Sequence, residues 1–170
     1  MGDAIAYSNP GDNEVNRGIH EVFSQTLKSL ANEAGEKAPL CIIGHSLGAV
    51  IASHYVWDLQ GNNSQPIVSI GNTPLEKCET LNLFYTLATQ IPLWAISYKD
   101  FGQPINIPAP QLSSHYPQLT GEWINFFDKD DVLGYPLQNI NDDYAKVVVD
   151  KQVNAGNFWS SWSPLSHNGH

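Results

Sequence analysis

Two observations in the sequence predict an α/β fold built on a mostly parallel sheet. The run APLCIIG, residues 38–44, is short, apolar and bounded by Pro39 and Gly44. That pattern suits a strand buried on both faces of a parallel sheet. The second observation is order. A helical stretch follows at once, and then another strand-like run, PIVSIGNTP, residues 66–74. Strand, helix, strand implies a right-handed crossover between parallel strands. With 170 residues and neither internal repeats nor a dividing linker, the chain reads as one domain, 1–170, with a core of its own.

The elements follow in order. The stretch DAIAY, residues 3–7, offers at most one short strand, and NPGD marks a turn. Behind it Val15, Ile19, Val22, Phe23, Leu27, Leu30 and Ala34 share one helical face, and Gly35 is a natural stop. After the strand at 38–44, LGAVIASHYVWDLQ continues as a helix until GNNS ends it. LNLFYTLATQIPLWAISY, residues 81–98, is apolar enough for a helix, or for a helix and a strand. The proline-rich segment behind it reads as an ordered loop or flap. Residues 75–121 are thus a candidate lid or acyl-pocket insertion. EWINFFDKDD reads as a strand ending in acids, and YAKVVVDKQV as a β-branched strand followed by loop.

Composition excludes several function classes. A net charge of −9 with only eight Lys and Arg argues against nucleic acid and anionic membranes, which need clustered positive charge. A neutral small-molecule substrate fits better. Two cysteines make neither a disulfide framework nor a metal-ligand spacing; Cys41 reads as core and Cys78 as loop. No metal or cofactor is implied. The first residues lack the pattern of a signal peptide, and no apolar run approaches a membrane span, so the expectation is a soluble, cytoplasmic protein.

The chemistry centres on Ser46. Gly44-His45-Ser46-Leu47-Gly48 lies between the buried strand and the helix, the context of a nucleophile elbow. There a sharp turn exposes the serine above a helix N-terminus, whose dipole favours developing negative charge. Gly44 and Gly48 are expected to let neighbouring elements approach, and Leu47 N–H to serve as an oxyanion donor. The bland reading is a turn in which serine caps the helix. IIGHSLGAVIA resembles the elbow of the α/β-hydrolase superfamily, in its lipase and esterase branch.

That resemblance implies a three-layer α/β-hydrolase-like sheet, and an acid and a histidine after the serine in chain order. DVLGYPL is similar to the branch's acid segment and places Asp131 in that role. Asp130 is the alternative, and Asp128 a turn cap. SPLSHNGH places His167 where the base belongs, while His20, His45, His54 and His115 read as packing or surface residues. The implied activity is a serine carboxylesterase cleaving neutral short-chain or aromatic esters through an acyl-enzyme, with Thr73 and Leu75 lining the cleft. An acyltransferase or thioesterase with the same triad, or an inactive fragment, are the alternatives.

The chain departs from the superfamily in having only 45 residues before Ser46, which implies a sheet reduced in strand number. The loop that supplies the second oxyanion donor has no evident counterpart, so weak esterase activity is expected. The elbow strand should also lie near a sheet edge. That implies a homodimer joined on the N-terminal side of the sheet, or else a monomer whose first helix closes that side.

Overall fold

A computed structural model describes residues 13–62, 68–97 and 102–154. The elements run α1 (Asn13–Ala34), β1 (Leu40–His45), α2 (Leu47–Trp57) with a π turn (Asp58–Asn62), β2 (Leu81–Leu87) and α3 (Ile91–Ser97). There follow the single turn α4 (Leu112–His115), β3 (Glu122–Asp128), α5 (Asp142–Val147) and β4 (Val148–Val153). The described strands lie in the order β1-β2-β3-β4, each neighbouring pair parallel. The chain is an α/β protein with a parallel sheet, and α1 and β3 fall where the sequence predicts them.

Register decides which side chains share a face. Ile42, Phe84, Trp123 and Val148 align across the four described strands and all are buried. α2 packs on this face, so closely that a Cβ on Gly44 would lie 2.6 Å from Ala49 Cα. α5 lies on the same side, its Tyr144 ring 5.9 Å from that of Trp123. α1 joins α2 through Phe23, whose ring is 4.5 Å from that of Tyr55. Right-handed crossovers along a steadily rising strand order place successive connections on one face, and this sheet follows that rule.

The opposite face carries Ile43, Tyr85, Ile124 and Val149 in register, with Ile43 69% and Val149 49% exposed. Among the described residues the three expected layers are therefore two, one helical layer on one sheet. Cys41 belongs to this open face and is exposed, not core. Cys78 is buried, and burial pushes its thiol up to about 12.

Two strands differ from expectation. Residues 68–74 form no strand; Val68 and Ile70 pack against the core from a loop instead. The second strand is LNLFYTL, flanked by β1 and β3, with Leu81 and Phe84 fully buried. Its less buried positions Leu83, Tyr85 and Leu87 are also apolar, so the sequence lacks a polar alternation and reads equally as helix. YAKVVVDKQV splits into the end of α5 and β4. Asn141 Oδ1 accepts from Asp143 and Tyr144 N–H at 3.0 and 3.1 Å, and this cap holds one helical turn before the β-branched run.

The segment 75–121 is consequently no single insertion, because β2 runs through it. Its proline-rich part packs at the end of the sheet where strands begin. Ala109 N–H donates to Leu81 O at 2.8 Å, and Tyr116 OH to Lys37 O at 2.6 Å. DAIAY lies outside the described residues. No helix among those described is long and apolar enough to cross a membrane.

Candidate active site

β1 ends at His45, and Ser46 follows at φ 52° and ψ −123°. Positive φ in a non-glycine residue costs on the order of 1–3 kcal/mol and persists only where the surroundings dictate it. Here they do. Ser46 N–H donates to Leu87 O at 2.9 Å, its carbonyl accepts from Ala49 N–H at 3.2 Å, and Gly44 lies flat against Ala49. Among the described residues Gly48 has no such duty: none lies within 4 Å of an added Cβ, so close approach to them does not explain it.

Serine at this position would ordinarily cap the helix. Ser46 has no side-chain cap hydrogen bond. Its Oγ instead accepts from Gln90 Nε2 at 3.4 Å, at the C-terminal end of the strands. Leu47, the expected oxyanion donor, is the first residue of α2, where backbone N–H groups have no intrahelical acceptor. His45 lies on the open face of β1, away from α2.

The acids separate after β3. Asp128 Oδ1 accepts from Asp130 N–H at 3.0 Å and its carbonyl from Asp131 N–H at 3.1 Å, forming a tight turn. The turn leaves Asp130 in solvent and buries Asp131, which is 6% exposed. Asp131 Oδ1 accepts from Leu133 N–H at 2.9 Å. Its Oδ2 stands against Gly134, where an added Cβ would lie 2.6 Å from it and 2.8 Å from Ala88 Cα. Asp131 and Ala88, the residue after β2, thus both border Gly134, and β2 is the strand that also receives the Ser46 N–H.

The loop carrying Asp131 is anchored by a buried polar ladder. Thr86 Oγ1 donates to Asn125 Oδ1 at 2.9 Å, and Asn125 Nδ2 donates to Asp150 Oδ1 at 2.7 Å and to Tyr135 O at 3.2 Å. Asp150 also accepts from Leu137 and Gln138 N–H at 3.0 and 2.8 Å. One carboxylate on β4 thus fixes the backbone of a loop seeded at β3. Beside this loop lies a cleft of about 450 Å³ lined by Pro92, Leu93, Ile96, Tyr135, Pro136 and Ile140. Its size and apolar lining suit a small ligand.

Thr73 and Leu75, expected in the cleft, are at the other end of the sheet. Leu75 N–H donates to Glu36 O ahead of β1, and Leu75 is fully buried. Thr73 Oγ1 donates to Glu76 Oε2 at 2.7 Å, a bond that lowers the Glu76 pKa. At a strand rise of about 3.3 Å per residue, β1 alone sets roughly 20 Å between these residues and Ser46. The apolar run of residues 81–98, within the expected insertion, is corrected in the same way: its first part is the strand β2, and among its described residues only those of α3 border the cleft.

His167 and His170 lie outside the described residues. Besides His45, the described histidines are elsewhere: His20 and His54 pack between α1 and α2, and His115 Nε2 meets Glu79 Oε2 at 3.0 Å near the strand starts. Burial first, then the neighbouring His54, hold His20 down to about 4. Among the described residues no group of three or more His, Cys, Asp or Glu is placed to hold a metal ion. The sequence pattern missed Gln90, Asn125 and Asp150, since none belongs to a motif and contacts 25 to 44 residues apart reveal them.

Comparison with protein-family models, with curated proteins and with solved structures found no match. Fold and site define a class: an α/β protein that presents a strained serine at the carboxyl ends of parallel strands. That is the end where open α/β sheets bind their ligands.

Proposed function

We propose that the protein is a serine hydrolase of neutral carboxylic esters. The observation that carries this reading is Ser46 itself, held at positive φ at a strand end with no helix cap to justify it. In the proposed reaction His167 takes the Ser46 proton as Oγ bonds the ester carbon, and the carbonyl π pair moves onto oxygen. Leu47 N–H stabilises that oxyanion, and Asp131 orients His167. The carbonyl then re-forms, the alcohol leaves with the proton from His167, and water releases the acid by the same steps.

Several features support the assignment. Asp131 is buried beside β2 whereas Asp130 is in solvent, which favours Asp131 as the orienting acid. The apolar cleft next to α3, whose lining does not include Ser46, is assigned the acyl group because Gln90, which meets Ser46, directly precedes that helix; the net charge of −9 disfavours anionic substrates. Labelling with a fluorophosphonate probe, followed by peptide mass spectrometry, tests the reading. The expected result is modification of Ser46 and faster cleavage of a four-carbon than a sixteen-carbon p-nitrophenyl ester. An unlabelled Ser46 overturns it.

The reading includes a homodimer. Among the described residues β1 pairs only with β2, and its outer side borders an apolar groove of about 740 Å³ shared with α1. A second copy covering that strand edge removes its exposed backbone and apolar surface from water. Light scattering decides: a mass of 18.8 kDa, unchanged on tenfold concentration, refutes the dimer.

A further inference from the structure

We infer that Gln90 supplies the second oxyanion donor, reaching the reacting carbonyl from the β2 side; the inference rests on the ester-hydrolase reading. Oxyanion sites combine donors aimed where charge develops. Leu47 N–H offers one. Among the described residues no strand flanks the outer side of β1, whereas the residues after β2 stand directly beside Ser46. Gln90 Nε2 donates to Ser46 Oγ at 3.4 Å.

The backbone holding Gln90 is fixed on both sides. Ala88 N–H donates to Phe126 O at 3.0 Å, and Tyr135 N–H to Thr89 O at 3.4 Å. Thr89 Oγ1 accepts from Ile91 N–H at 3.2 Å, and Gln90 O accepts from Leu93 N–H at 2.9 Å and Trp94 N–H at 3.3 Å. This fixes the backbone from which the half-buried Gln90 amide reaches Ser46. Preorganisation of this kind is what makes a donor effective in a water-poor site.

The chemistry selects the role. A carboxamide N–H cannot accept the serine proton, and a donor on Oγ disfavours the alkoxide's attack, so Gln90 is neither base nor activator. Once Oγ bonds the ester carbon it is an ether-type oxygen and a far weaker acceptor than an oxyanion. The oxygen that takes the displaced π pair is attached to the same carbon, and the hydrogen bond from Gln90 Nε2 shifts to it, with no proton transferred. The 3.4 Å contact is long for a resting hydrogen bond, and catalytic contacts of this kind tighten in the transition state.

The test uses the full chain with p-nitrophenyl butyrate and the variants Gln90→Ala and Gln90→Glu. Gln90→Ala should lower kcat by about 10²–10³ and leave KM within about threefold, the signature of an interaction made only in the transition state. Gln90→Glu, nearly isosteric, should be at least as impaired, because it turns an acceptor and a negative charge toward the oxyanion. Affinity for a boronic acid, a tetrahedral mimic, should fall in parallel with kcat. The Glu variant decides the matter if the Ala variant does not fold. A wild-type enzyme that labels at Ser46 while either variant keeps kcat within about threefold, or loses only KM, overturns the role of Gln90 alone. A wild-type protein that never labels overturns the hydrolase reading, and this role with it.

Discussion

β1 ends in Ser46 at φ 52° and β2 ends in Ala88 at φ 48°. The two turns repeat one construction. Ser46 N–H donates to the last carbonyl of β2, and Ala88 N–H donates to Phe126 O near the end of β3. Each turn also has a glycine pressed against it: Gly44 on Ala49, and Gly134 on Ala88 itself. The difference lies in what the turn presents. Ala88 is fully buried beneath the Asp131 loop, whereas Ser46 keeps its hydroxyl half-exposed beside Gln90. Positive φ at a strand end therefore serves both β1 and β2 for turning sharply into the next connection. It becomes a candidate nucleophile only where the side chain carries a hydroxyl and the neighbours leave it room.

The most severe way to break the contrast is to make the turns alike. Ser46→Ala should lower ester hydrolysis by about 10⁴-fold or more while the urea midpoint stays within the range of a surface substitution. Ala88 shows that alanine is tolerated at positive φ at a strand end of this sheet, so an unfolded variant would mean that Ser46 has a structural duty after all.

Next comes the carboxylate above the alanine turn. Asp131→Asn should reduce kcat by roughly 10²–10⁴, since an amide cannot hold an imidazolium in the required tautomer, and Asp130→Asn by no more than a few-fold. Equal or reversed losses, read from steady-state kinetics, would assign the acid to Asp130.

Acid should act on the helix that leads away from the serine turn. α2, which begins at Ser46, packs through Tyr55 on the buried His20, whose rings lie 5.3 Å apart. His20 is held down to about 4 in the folded chain, below its ordinary 6.5. The unfolded chain takes up the proton first, so this contribution is complete above about pH 6.5 and is lost as pH falls toward 4. The full loss is on the order of 3 kcal/mol. Urea denaturation at pH 7, 5.5 and 4 should show it, and His20→Phe should flatten that part of the profile. A midpoint independent of pH across this window contradicts the account.

The smallest effects belong to the glycines. Gly44→Ala and Gly134→Ala should each destabilise by about 1–3 kcal/mol, because the added Cβ meets backbone in both places. Gly48→Ala should be neutral or stabilising by up to about 1 kcal/mol, since it fills open space within α2. A destabilised Gly48→Ala would show that space to be used, and so give that glycine the packing duty the described residues do not.

Much of the chain was readable locally. The 3.6-residue spacing from Val15 to Ala34 marked α1, the apolar run before Gly44 marked β1, and EWINFFD marked β3. Ser46 stood out because one turn of five residues holds its whole motif. Asp131 and Asp130 were both visible, but only folding separates them: the Asp128 turn directs one inward and leaves the other in water. β2 was missed as a distinct strand because its less buried positions, Leu83, Tyr85 and Leu87, are apolar too, so the sequence does not alternate although the burial does.

By itself, the sequence determined the α/β class, the parallel sheet, the strand–serine–helix order and an acid cluster at a strand end. These depend on side chains within a few residues of one another. Tertiary structure alone decided that the helices share one face of the sheet and that Thr73 and Leu75 lie at the far end from Ser46. It also decided that Gln90 meets the serine and that Asp150 anchors the Asp131 loop. Each of these rests on strand register and crossover direction, which bring together residues dozens of positions apart and leave no periodic trace in the chain.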